Sequence, residues 1–247
     1  MSYNVFIDDK YVALPSDFDG STGYLLRSSD FTGNADSSTG IFSGWFRLDG
    51  GNGSQLQIAF GTGSAYSITR NTSNKFGFYV RNAASTSELQ FETVNTYTSS
   101  ASWIHVLASW NTNFGAGSKL SHLYINDVSD KSVTSDSGSA FNVDYTVSNH
   151  LVGSQTAPPN APFNGCMSEI YFAPGQFLDF SVAGNRSKFR DILGKPAFLG
   201  MDGSLPTGTA PLVFLRNSAA TFEVNSGTGG NYTRNGTIAT GSTSPTL

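Results

Sequence analysis

Residues 102–127 read SWIHVLASWNTNFGAGSKLSHLYIND, two strands joined by a turn. In the first half, Ile104, Val106, Ala108 and Trp110 alternate with Trp103, His105, Leu107 and Ser109. The first set is uniformly apolar and is expected to face a core; the second is mixed and is expected on a half-covered face. Residues 111–119 are a polar, glycine-bearing turn region, and Leu123, Tyr124 and Ile125 restart the β pattern.

The same arrangement recurs on both sides of this hairpin. Residues 41–48 (IFSGWFRL) set Phe42, Gly44, Phe46 and Leu48 against Ile41, Ser43, Trp45 and Arg47, a central strand in which Gly44 permits close packing. Leu56, Ile58 and Phe60 point inward in the next strand, Phe76, Phe78 and Val80 in another, and Leu89 and Phe91 in a fourth, between Glu88, Gln90 and Glu92. Short strands separated by Gly/Ser/Asn turns predict an antiparallel sandwich or barrel rather than a parallel α/β sheet. Residues 150–154 and 166–172 read as further strands, the latter with Ile170 and Phe172 on one face and Glu169 and Tyr171 on the other. At residues 179–193 the period changes: Val182, Phe189, Ile192 and Leu193 fall on one helical stripe, with Asp179 or Ser181 to cap the start and Gly194 the end. After Thr228 the chain is almost entirely Gly, Thr, Ser and Asn, anchored by Tyr232 and Ile238.

Composition narrows the function classes. Only 13% of the 247 residues are charged and the net charge is −4, with no Lys/Arg run, so nucleic acid is not an expected partner. The 19 Phe and 10 Tyr favour strands. Cys166 is the single cysteine, so no intramolecular disulfide framework exists, and it reads as a small buried hydrophobe. The opening MSYNVFIDDKY is neither basic nor followed by a long apolar run, which predicts neither a signal peptide nor membrane insertion.

Four motifs in order, F-D-G…Y-L, I-F-S-G-W-F, W-I-H-V…L-Y-I-N-D and V-G-S…F-N-G-C-M-S-E-I-Y-F, resemble the laminin-G-like, or concanavalin-A-like, lectin/glucanase superfamily. Those domains carry a W-x-H-V-A strand, a Y-x-N-G turn and an F-x-G strand. Here Trp103, His105 and Val106 match the first, Tyr124 and Asn126 the second, and Phe163, Asn164, Gly165, Ile170 and Tyr171 the last; Asp127 replaces the turn glycine. The resemblance covers residues 18–175. It implies an all-β antiparallel jelly-roll β-sandwich, here with one C-terminal helix. The expected organisation is an N-terminal arm at 1–17, the sandwich at 18–175, and a helix plus strand extension at 176–247. Residues 185–215 look like a segment that follows such domains in tailed-phage structural proteins. That likeness implies a non-enzymatic virion protein, a capsid decoration or tail-associated module assembled in the host cytoplasm. Its expected partners are other virion proteins and further copies of itself. The alternative is a receptor-binding lectin for host-surface carbohydrate.

Candidate chemistry follows from these readings. Glycan hydrolysis needs two carboxyl groups about 5–5.5 Å apart in retaining enzymes, and Glu88, Glu92, Glu169 and Glu223 do not form the glucanase E-x-D-x-x-E pattern. A sugar-stacking role falls to Trp45, Tyr66, Tyr79 and Trp103, the aromatics on the expected less buried faces. No cofactor is required; calcium, which such domains hold on the sandwich rim, has candidate ligands in Asp17 with Asp19 and Asp127 with Asp130. Tyr3, Val5, Ile7 and Tyr11 are the candidate assembly arm, able to add to a neighbour's sheet edge. His105, His122 and His150 do not have zinc spacing, and His105 fits the structural strand pattern.

Overall fold

The computed structural model describes residues 11–53 and 57–246. Tyr3, Val5 and Ile7 of the candidate arm, and Leu56 of the second expected strand, lie outside the described residues.

Two antiparallel sheets form a jelly-roll sandwich. In the first, the strand order is β10 (Val128–Ser129), β9 (Ser118–Ile125), β8 (Ile104–Phe114), β3 (Thr39–Leu48), β13 (Asn164–Pro174), β1 (Ser16–Asp19) and β16 (Ile238–Thr240). The short strand β14 (Val213–Leu215) shares with β1 the far edge of β13. The second runs β11 (Ser132–Ser137), β7 (Glu88–Glu92), β6 (Phe76–Arg81), β5 (Tyr66–Arg70), β4 (Gln57–Gly61), β12 (His150–Val152), β2 (Tyr24–Arg27) and β15 (Thr233–Asn235). The Gly/Thr-rich end of the chain thus adds one strand to each sheet.

Aromatic side chains fill the space between the sheets. Phe42 lies 5.8 Å from Phe60 and 5.9 Å from Phe78 across the gap, and Phe60 lies 4.9 Å from Phe172. Ile104, Val106, Ala108 and Trp110 all join this core, as their alternation requires. Gly44 does allow close packing: a Cβ there would stand 2.9 Å from the Ile170 Cδ1.

The other face of the first sheet is not half-covered. His105, Leu107 and Ser109 are all buried, as are Trp45 and Arg47. The covering layer comes from beyond residue 175, where Phe180, Phe189 and Leu199 pack with Ile41, Leu107, Tyr171, Ala173 and Phe214 in a second core. The segment that supplies this cover is not the helix that its stripe predicts over residues 179–193. The helix is a single turn, Ala183–Arg186, and the chain then reverses through Asp191 and Lys195, whose backbones exchange a 2.8 Å bond. Gly184, Asn185 and Ser187 are weak helix formers, and Asp179 accepts from the Ser181 amide in a tight turn instead of capping. Of the expected stripe only Phe189 is inserted; Val182, Ile192 and Leu193 are exposed.

Covering this face seals in one acid. β13 carries a bulge between Ser168 and Tyr171, with Glu169 in the left-handed region at φ 53°. The bulge turns the Glu169 carboxylate inward, where both oxygens are shut off from solvent without a well-formed hydrogen bond. Burial pushes its pKa up to about 7, only partly offset by the nearby Tyr11 hydroxyl and Arg216 guanidinium.

Two outcomes check this architecture. Phe189→Ala should cost about 3 kcal/mol or more in chemical denaturation, while Ile192→Ala stays within about 0.5 kcal/mol; equal losses would favour a long helix docked by its full stripe. For Glu169, the folded state keeps its proton above the ordinary carboxylate range, so stability falls as pH rises from about 4.5 to about 7. Glu169→Gln should therefore stabilise the protein near pH 8, by on the order of 3 kcal/mol at most, and lose that advantage near pH 4. A melting temperature unaffected by the substitution at either pH would contradict the buried-acid assignment.

Candidate functional site

The outward side chains of the first sheet line up in rows across adjacent strands. One row places Ser168 of β13 opposite Trp45 of β3, and Trp45 opposite His105 of β8. Asn126, in the turn after β9, continues it: its amide donates to the His105 carbonyl and its Oδ1 accepts from the His105 amide at 2.9 Å. Trp45 and His105 stack with ring centroids 4.7 Å apart at 18°. Burial, reinforced by the charge of Arg190, lowers the His105 pKa to about 3, so the ring is neutral. Its Nε2 lies 2.9 Å from the Ser43 hydroxyl, which fixes its orientation.

Asn126 and Asp127 have φ values of 51° and 72°, the pattern of a two-residue turn with both central residues left-handed. This explains how an aspartate stands where the related turns have glycine. Asp127 is further held by an ion pair to Arg186 of the covering segment.

The cover does not close completely over this row. It leaves a cavity of about 440 Å³ with Trp45, Trp103 and Asn126 on the sheet side and Arg190, Lys195 and Thr243 on the side of the cover and tail. The Trp103 indole N–H donates to the Thr243 Oγ1 at 3.1 Å, so the tail fixes that ring. A second, more open depression of about 430 Å³ adjoins it, sharing Ala101 and Thr243 and reaching Arg47 and Asp49.

The four aromatics singled out in the sequence are thus divided. Trp45 of β3 and Trp103, just ahead of β8, both line one cavity. Tyr66 is buried between the sheets, its hydroxyl 2.6 Å from the His150 Nδ1. Tyr79 is on the second sheet beside Arg81. Sequence reading passed over Arg190, Lys195 and Thr243. Their only signal was a density of basic residues between 186 and 195, unusual in a chain with so few charges.

The carboxylates are dispersed. Asp19 accepts from the amides of Ser21, Thr22 and Gly23 and from two hydroxyls, which together hold its pKa far below the ordinary carboxylate range. Asp130 is buried and accepts from the amides of Val94 and Asn95 and from the Tyr97 hydroxyl. Asp17 lies in another cross-strand row, opposite Cys166, which is opposite Arg47. Asp17, Asp49 and Cys166 have ligand atoms within 4.8 Å of one another, but Arg47 donates to both Asp49 oxygens at 2.8 Å and supplies the countercharge. The Cys166 thiol, buried beside these carboxylates, is pushed up to about 12, which leaves it un-ionised and unreactive. Glu88 and Glu92 are on β7, where Glu92 pairs with Lys75; Glu223 pairs with Arg234. Tyr11 packs edge-on against Phe198 at 5.3 Å and lies under Arg216.

No protein-family profile and no curated protein matches this sequence. Solved structures do match in fold. A protein from Bacteroides ovatus, described as a candidate carbohydrate-binding protein, aligns at a TM-score of 0.59 with 14% identity, over 95% of this chain and 62% of that one. This chain therefore spans less than two thirds of that protein's length. The laminin α2 LG1–3 region aligns at 0.47 with 15% identity, over 66% of this chain and 32% of that one. The LG4–5 domains of the mouse laminin α1 chain align at 0.45 with 19% identity, over 69% and 45%. At these identities the likeness is one of architecture, a jelly-roll sandwich of two antiparallel sheets.

Proposed function

We propose that this chain is a non-catalytic carbohydrate-binding domain and that the cavity under the C-terminal cover is its sugar site. One observation carries the reading. Trp103, half-buried just ahead of β8, borders a cavity whose volume, about 440 Å³, is in the range of small-ligand sites and whose wall includes the buried Trp45. Indole faces stack on the apolar C–H faces of sugar rings, and sugar hydroxyls need fixed polar partners. Asn126 supplies one: its Oδ1 is committed to the backbone, which leaves its Nδ2 to donate to a ligand. The neighbouring depression toward Arg47 gives room for a second sugar unit. The Bacteroides protein of similar fold, described as a candidate carbohydrate-binding protein, agrees with this use of the architecture.

The non-catalytic part of the proposal rests on the lining. Among the described residues no carboxylate borders the cavity, so neither the acid nor the nucleophile of glycoside hydrolysis has a source there. The same lining offers calcium no anionic ligand, and binding is proposed to be calcium-independent. Display on a virion, with capsid or tail proteins as partners, rests on the sequence resemblance of residues 185–215 alone. In that setting the cavity would serve adhesion to the host surface.

A glycan array with the labelled chain, followed by calorimetry on the best ligand, tests the proposal. Trp103→Ala should weaken binding about tenfold or more, by removing the stacking face, and EDTA should leave the affinity unchanged. Binding that survives Trp103→Ala intact, or an array without a single bound sugar, would overturn it.

A further inference from the structure

We propose that the sugar bound in this cavity is acidic, and that its carboxylate or sulfate is neutralised by Arg190 with help from Lys195. The inference rests on the carbohydrate-site reading and names the ligand class of that same site.

The charge balance of the cavity is opposite to that of the protein. The chain carries a net charge of −4, yet Arg190 and Lys195 face the tryptophan cavity with no acid among its described lining residues. Cations in folded proteins are normally near a partner, because an uncompensated charge held out of water is costly. Lys195 has a partial one, the Thr246 carbonyl at 2.6 Å. In the half-buried Arg190 the Nε is closed off from solvent without a hydrogen-bond partner. The neighbouring acids Asp127 and Asp191 border a smaller cavity on the other side of Arg190 and not this one; Asp127 is paired with Arg186, and Asp191 accepts from the Lys195 amide at 2.7 Å, which does not cancel its charge.

The guanidinium is also held in place. Gly194, at φ 78°, lies so close that a Cβ there would stand 2.5 Å from the Arg190 Nη2. The reversal at residues 191–195 that replaces the expected helix thus presses the guanidinium into the gap between cover and sheet. Its field reaches the sheet, where it contributes to keeping His105 neutral. A planar, delocalised cation fixed near the Trp103 indole suits an oxyanion carried on a sugar ring: the ring stacks while the oxyanion bonds to the guanidinium. A neutral sugar would leave Arg190 without a counterion and still displace its water, so it should bind more weakly. In the adjoining depression Arg47 is already neutralised by Asp49, so a sugar unit there need not be acidic.

The test is calorimetry on the full chain with three probes: tetragalacturonate, a sulfated heparin-derived tetrasaccharide, and neutral cellotetraose. At least one acidic probe should bind more tightly than the neutral one, and which acidic probe wins distinguishes carboxylate from sulfate. Arg190→Gln should weaken that binding about tenfold or more, the scale of a lost charge-assisted hydrogen bond. Affinity of the unaltered chain for the acidic probe should also fall as salt is raised, a readout that does not depend on a variant folding. Cellotetraose binding as tightly as the acidic probes, with sensitivity to Trp103→Ala but not to Arg190→Gln, would overturn the acidic-ligand inference and leave the sugar site standing. Acidic-probe binding that ignores both Arg190→Gln and salt would overturn it too. No binding of any probe would overturn both.

Discussion

The central strands of the first sheet, β3, β8 and β13, are buried on both faces, and most of what is distinctive about the molecule depends on that. An antiparallel sheet ordinarily keeps one face in water. Here Phe180, Phe189 and Leu199 lie over Ile41, Leu107, Tyr171 and Phe214 and form a second, smaller core. Burying apolar surface at about 25 cal/mol per Å² rewards this arrangement. It also imposes a cost on each polar group beneath the cover. Ser109 meets it by donating to the Leu178 carbonyl at 2.7 Å, and His105 by staying neutral against Ser43. Glu169, turned inward by the bulge in β13, has no comparable partner and holds its proton instead.

The cover is irregular because a helix would fit badly. Its inserted side chains, Phe180, Phe189 and Leu199, are spaced by nine and ten residues, and the chain between them turns twice to bring them down. Regular helix would have put Ile192 and Leu193 on the sheet and Arg190 in solvent. The reversal through Gly194 does the opposite: the two aliphatic residues are exposed and the guanidinium is drawn under the edge. The gap that remains above Trp45 and Trp103 is where the cover stops matching the sheet. A cavity thereby arises between the sandwich and its C-terminal extension, lined by Trp103 from one and by Arg190 and Lys195 from the other.

The fold and the site carry different information. A fold does not by itself imply a function, and an alignment at 14% identity speaks to architecture alone. The carbohydrate reading comes from the aromatics, the amide and the cations at one cavity. The dispersal of the four glutamates and the engagement of Asp19 and Asp130 by backbone amides account for the acids elsewhere as turn, pair and packing elements.

Alternation alone determined that the chain folds into short antiparallel strands, as a sandwich or a barrel. Ile104, Val106, Ala108 and Trp110 could face only one way on a strand of period two, and the same holds for Phe76, Phe78 and Val80. The turn after β9 was legible as well, because asparagine tolerates the left-handed backbone it needs. The cavity position of Trp45 and Trp103 was not separable in the sequence from the positions of Tyr66 and Tyr79, since alternation cannot tell an open face from a covered one. That was decided by residues far along the chain: the cover hides the mixed face of β8, shortens the expected helix to one turn, and brings Arg190 across from a segment more than eighty residues away from Trp103. Local periodicity records which way a side chain points, whereas what it meets there depends on long-range packing that no short stretch of sequence contains.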